Sequence, residues 1–177
     1  MDLQDVMEQR LGLRDISIPS LLSILPVRGT VLFPGMLLPI AVGKKPSIKL
    51  VDDALIGDKI IGIVAVRRER EDYPEISDLH DVGTAAVILK MIRTPDGGQN
   101  LILQGIARIR IGEFVQKNPY YKASVTRMTE EYESDIELDA LVANLRNLFQ
   151  QMTEKSPSLS PELNMVAANL ESPVQFG

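Results

Sequence analysis

The residues from Ile24 to Gly43, ILPVRGTVLFPGMLLPIAVG, are almost wholly apolar, yet Pro26, Gly29, Pro34, Gly35, Pro39 and Gly43 interrupt them. A buried strand avoids such breakers, because proline removes a ladder donor and glycine supplies no side chain to pack. A solvated loop avoids so much Val, Leu and Ile. Two apolar strands joined by a tight, proline-set crossing satisfy both constraints. Pro34-Gly35 fits the two central positions of a type II turn, with the glycine at positive φ. Phe33 and Met36 then stand at the edges of that turn. The sequence leaves two places open for them, folded back as a plug in the barrel end or turned outward.

The rest of the first 130 residues keeps the same β character. Lys59 to Val66, KIIGIVAV, is a continuous apolar run bounded by charge, the signature of a strand buried on both faces. Thr84 to Arg93 and Gln99 to Gln104 flank Pro95 to Gly98, which supplies hairpin turn chemistry. Beyond Gly105, Ala107, Ile109 and Ile111 share one face of a strand and Arg108 and Arg110 the other. Asn118-Pro119 makes a turn, after which Tyr121, Ala123 and Val125 alternate inward. One helix interrupts this series. Pro46 suits its first turn, Ile48, Val51 and Leu55 share a face, and Gly57 ends it. Residues 67–81 are polar and acidic and read as a surface loop. Six or seven strands and one helix in this span predict a compact β-barrel-like domain.

The flanks read differently. Leu3, Val6, Met7 and Leu11 fall at helical spacing, either a short lead-in helix or a flexible arm. Ser134 with Glu137 forms a capping-box pattern, and Leu138, Leu141, Leu145, Leu148 and Met152 then repeat as a coiled-coil-like seam. Ser160-Pro161 starts another helix, and Ser172-Pro173 announces one more just before the last residue, Gly177. That last signal predicts a processed or artificial end. The expected organisation is an N-terminal extension over 1–20, a β domain over 21–130 and a truncated helical-bundle segment over 131–177.

Composition excludes several functions. There are no cysteines, so no disulfide framework, Cys-based zinc site or thiol nucleophile. His80 is the single histidine, too few for a multi-histidine metal centre, and it reads as solvent-facing or edge-packed. No phosphate-binding glycine motif occurs, and Gly97-Gly98 is explained by the hairpin. No apolar run reaches the roughly 18 to 20 residues that span a bilayer, and the acidic N-terminus is no signal peptide, so the expected location is cytoplasmic. Nineteen Lys and Arg against 24 Asp and Glu leave a formal charge of −5, which argues against nucleic acid as the main ligand. By elimination the chain reads as a binding or assembly module.

Two blocks, in order, carry a family resemblance. In the first, Leu25, Pro26, Val27, Arg28, Val31, Phe33, Pro34, Gly35, Pro39, Val42, Gly43 and Ser47 fill a pattern that resembles the opening of the N-terminal domain of Lon, the ATP-dependent serine protease. In the second, Val82, Gly83, Thr84, Ala86, Ile88, Gly105, Arg108, Ile111, Pro119, Tyr120, Ala123 and Val125 match the same family. Gly29 and His80 depart from it, where a polar residue and a tyrosine are usual. The resemblance implies an α+β fold, a PUA-like β pseudobarrel with one or two short helices followed by the start of an α-helical bundle. It implies recognition of unfolded, damaged or degron-bearing protein substrates, and contacts with other Lon subunits in a homo-hexamer. The Ser-Lys dyad and the ATPase with its ATP and Mg belong further along the parent, so this fragment is expected to be non-catalytic and without a cofactor. Alternatives are a stand-alone protein on the same domain, or a PUA-like RNA-binding module.

Unfolded clients are recognised through exposed apolar and aromatic groups, so a receptor needs an apolar patch of its own. Leu32, Phe33, Pro34, Met36 and Leu37 are the expected patch, joined by Met91 on the hairpin, whose rival place is the core. One of Tyr120 and Tyr121 must face outward by alternation, and Tyr120 is included with the patch. Arg28, Gly35, Gly43, Gly83, Gly105 and Arg108 read as structural, the arginines by satisfying loop carbonyls with their fork of donors.

Overall fold

A computed structural model describes residues 16–68, 72–129 and 136–155. The lead-in pattern at 3–11, the charge run at 69–71, the cap at Ser134 and the helix starting at Ser160 lie outside the described residues. The chain divides into two compact units, Met1–Thr129 and Glu130–Gly177.

In the first unit the elements run β1 (Leu21–Val27), β2 (Leu37–Val42), α1 (Lys45–Ile56), β3 (Ile60–Ala65), a short 3-10 turn (Ile76–Asp78), β4 (Val82–Arg93), β5 (Gln99–Gln116) and β6 (Tyr121–Arg127). The strands form one sheet in the order β2-β5-β4-β3-β1-β6, and a further β5–β6 pairing curls it into a pseudobarrel. Among the described strands only β1 and β3 run parallel. The strand β5 is long enough to serve both regions. Its first half pairs with β2, its second half with β6, and β4 runs alongside both. Gly105, expected to punctuate this run, lies within a continuous strand opposite a register shift at Ala85/Ala86.

Apolar residues on both faces of β1 and β3 produce two cores. One gathers Leu25, Val27, Ile61, Ile63, Ile88, Leu101 and Leu103 beneath Leu50 and Val51 of α1. The other gathers Leu22, Ile24, Ile60, Val64, Ile106 and Ile109. The run KIIGIVAV is thus buried on both faces, as its lack of alternation predicts. Gly57 ends α1 by donating its N–H to the Ala54 carbonyl oxygen at 3.1 Å.

The second unit holds α2 (Ile136–Lys155). Leu141, Leu145, Leu148 and Met152 of its seam are exposed.

Candidate functional site

The crossing between β1 and β2 is a tight turn at Phe33–Met36. The Met36 N–H donates to the Phe33 carbonyl oxygen at 3.1 Å, and Gly35 takes φ 78°. That conformation costs an L side chain energy and glycine nothing. The turn is also pinned from below. Gly35 N donates to the Gly105 oxygen and Gly105 N to the Met36 oxygen, both at 2.9 Å. The Thr84 hydroxyl donates to the Leu32 carbonyl oxygen at 2.6 Å in a buried position. Three attachments within five residues, at Leu32, Gly35 and Met36, leave the turn a single place on β4 and β5.

Side chains then divide by direction. Leu32 is only 2% exposed and belongs to the first core, so the expectation that it contacts a client is corrected. Phe33, Met36 and Leu37 are 40%, 43% and 45% exposed, with Pro34 half-buried between them. Of the two places open to Phe33 and Met36, the structure takes the outward one. The Arg108 guanidinium carbon lies 6.0 Å from the Phe33 ring centroid, a cation–π contact that steadies the ring. Arg108 thus supports the patch by covering an aromatic face, where loop carbonyls were the expected partner. Arg28 does as expected and donates to the Asp72 carbonyl oxygen.

A further exposed apolar surface lies on the sheet. Leu37, Pro39 and Ala41 of β2 lie on the face opposite Leu38, Ile40 and Val42, which pack toward the first core. On this outer face Pro39 stands opposite Ile102 of β5, and Ala41 and Ile92 flank Asn100. Ile102 is 38% and Ile92 51% exposed. Leu89, in the irregularity between Ile88 and Lys90, is exposed as well. The same face carries the second core further along the barrel, where Val87 packs against it. Past Val87 and Gln104 the covering ends and the apolar surface meets solvent.

Two expected contributors lie elsewhere. Met91 sits opposite Leu101 and packs against the first core. Tyr120 is 4% exposed, and its hydroxyl donates to Asp53 at 2.9 Å. The alternation that sets Tyr121 inward predicts an outward Tyr120, and that expectation is corrected: the Asp53 acceptor on α1 draws Tyr120 inward as well. Tyr121 is half-buried, its hydroxyl on the Pro74 carbonyl oxygen and its ring 5.5 Å from Tyr73 and 5.7 Å from Phe114. Gly83 is tightly placed, since a Cβ there would meet the Ile63 carbonyl oxygen at 2.4 Å. Gly43 meets nothing within 4 Å and has no steric reason to be glycine. His80 is exposed, as expected.

Polar networks fasten α1 to the sheet. Asp53 accepts from Lys49 and from Tyr120, and these partners, Lys49 foremost, hold its carboxyl below the usual range. Burial, then the bond to Asp53, pushes the Tyr120 phenol up. Asp52 accepts from Arg93 at 3.1 Å and Gln99 at 2.8 Å. Among the described residues no three His, Cys, Asp or Glu side chains cluster to hold a metal ion.

A groove of about 450 Å³ opens between β1 and β2, lined by Leu25–Arg28, Thr30, Pro39–Lys44, Ser47, Tyr73 and Pro74. Ser47 is buried. The Tyr73 hydroxyl oxygen is buried without a well-formed hydrogen bond among the described residues, and burial pushes its phenol up. No sequence signal pointed to this groove.

These elements define a class, a mixed α+β pseudobarrel domain whose conspicuous surface is apolar rather than charged. Residues 22–176 match the model of the ATP-dependent protease La (LON) substrate-binding domain, and the chain belongs to that family. It is 41% identical over 167 residues to a Lon protease of Dictyoglomus thermophilum, covering 94% of this chain and 21% of the relative. A Lon protease of Koribacter versatilis is 42% identical over 153 residues, covering 86% of this chain and 19% of the relative. The chain therefore spans about a fifth of the length of these relatives. The fold is similar to the N-terminal domain of Mycobacterium avium complex Lon protease, at TM-score 0.63 and 24% identity over 88% of this chain and 78% of that one. A Lon N-terminal domain protein from Xanthomonas campestris gives TM-score 0.55 at 20% identity over 88% and 93%. No helix among the described residues is long and apolar enough to cross a membrane.

Proposed function

We propose that this domain is a receptor for protein substrates, holding unfolded, damaged or degron-bearing segments against the outer face of β2, β5 and β4. One observation carries the reading. Phe33, Met36, Leu37, Ile92 and Ile102 are all exposed, and the turn that carries the first two is pinned by Gly105 and Thr84. Apolar side chains of a client lose water on that surface, at roughly 25 cal/mol per Å² of apolar area buried. A pinned receptor surface forfeits little conformational entropy on binding. The domain contributes recognition and no bond-breaking chemistry of its own. Proteolysis, with ATP and Mg, belongs to other parts of a longer Lon-type protein. The exposed seam of α2 suits contacts with further subunits during assembly.

The test is a titration of the whole chain with an alkylated, permanently unfolded protein, followed by backbone amide shifts. Signals from Phe33 to Leu37 and at Ile102 are expected to move first. Movement elsewhere with these signals unchanged would sink the reading. Binding of RNA that weakens steeply with salt would favour a nucleic-acid module instead.

A further inference from the structure

The groove between β1 and β2 exists because two strand edges face each other without pairing. Val66 N donates to the Val27 carbonyl oxygen, so Leu25 and Val27 direct their main-chain groups toward β3 and Pro26 directs its own away. The pairing of β1 with β6 reaches only Ile24 opposite Tyr121, which leaves the Pro26 edge open. On β2, Gly105 N donates to the Met36 oxygen. This sets Leu38 and Ile40 in hydrogen-bonded pairs with β5 and turns Leu37, Pro39 and Ala41 to the free edge. Both edges carry a proline that faces the groove, and proline has a carbonyl but no N–H. The edges are therefore rich in acceptors and poor in donors. Two such edges cannot zip together, and the barrel stays open there.

What fits the opening follows from its chemistry. The carbonyls of Pro39 and Ala41 are two residues apart, about 6.8 Å along a strand, which is the repeat of alternate N–H groups in an extended peptide. The Ala41 N–H supplies a donor in the same row. The charged side chains lining the groove, Arg28 and Lys44, are both cationic. We propose that the groove takes an extended acidic peptide segment, added as a strand along the free edge of β2. This rests on the reading that the domain binds polypeptides, and it assigns a second site that grips main chain where the apolar face grips side chains. The missing N–H of Pro39 also discourages pairing of two β2 edges from different molecules.

The experiment titrates the whole chain with an end-blocked octapeptide alternating glutamate with valine or threonine. Two controls are the same peptide N-methylated at alternate residues and a version with lysine for glutamate. The amide signals of Ala41 and Gly43 are expected to shift. N-methylation is expected to weaken binding about tenfold or more, the loss of one or two hydrogen bonds. Ala41→Pro removes the donor from an edge that β5 does not use, so it should abolish the shift and keep the fold. Equal binding of the N-methylated or the lysine peptide overturns the proposal without any change to the protein. Shifts confined to Phe33, Leu37 and Ile102 overturn the groove and leave the apolar receptor standing. No shift at all also overturns the groove, while the unfolded-protein titration judges the receptor separately.

Discussion

A Cβ atom at Gly105 would lie 2.2 Å from the Phe33 carbonyl oxygen, so β5 and the Pro34-Gly35 turn meet backbone to backbone. Gly105→Ala must push the turn off the strand or bend the strand away. Overpacking of this kind costs about 1–3 kcal/mol, read as a lower urea midpoint. Client affinity should fall with it, because Phe33 loses its fixed place.

Thr84 reaches the same turn from β4. Thr84→Val leaves the buried Leu32 carbonyl without its 2.6 Å donor and should cost about 1–3 kcal/mol. Thr84→Ser keeps the hydroxyl and should recover most of that loss in the same denaturation experiment.

Neighbours in the turn should respond in opposite ways. Leu32→Ala empties a core position that is 2% exposed and should cost about 2–5 kcal/mol. Phe33→Ser with Met36→Ser changes exposed residues and should move stability by only about 0.5 kcal/mol each. Binding of an unfolded client is expected to reverse that order, failing in the serine variant. Ile102→Lys should likewise weaken the client and spare the fold.

The fastening of α1 has a pH signature. The Asp53 carboxyl is depressed when folded, chiefly by Lys49 and then by Tyr120. Its contribution is therefore present above the unfolded value of about 4 and is lost as pH falls through the lower folded value. Asp53→Asn should flatten that part of the acid limb in melting profiles. The Tyr120 phenol is raised, first by burial, so its contribution is present below about 10 and disappears as pH rises through the folded value. Tyr120→Phe removes the alkaline limb, and losing the Asp53 bond should cost about 0.5–1.5 kcal/mol at neutral pH.

Local rules were readable wherever local sterics decide. Pro34-Gly35 could make few other turns, and KIIGIVAV has no polar face to show to water. Other features depend on distant parts of the chain. Leu101, Ile102 and Leu103 are equally apolar, and which of them meets solvent is settled by α1 covering one face of β5. Tyr120 turns inward toward an aspartate 67 positions away. The groove is harder still to anticipate, since Pro26 and Pro39 face each other only through the strand order β2-β5-β4-β3-β1. A signal was present for Ile102, because a strand apolar on both faces needs two coverings and the β domain offers one helix.

The barrel closes where Leu21 to Ile24 of β1 meet Tyr121 to Ser124 of β6, nearly the first and last residues of the sheet. Contacts so distant along the chain form slowly, after the local β4–β5 hairpin. During synthesis β1 and β3 must wait for β6 with their apolar faces uncovered, the state in which newly made chains aggregate or attract chaperones. Under the proposed receptor function the domain passes through the condition of its own clients, and its expression should depend on how fast Tyr121 to Arg127 arrive.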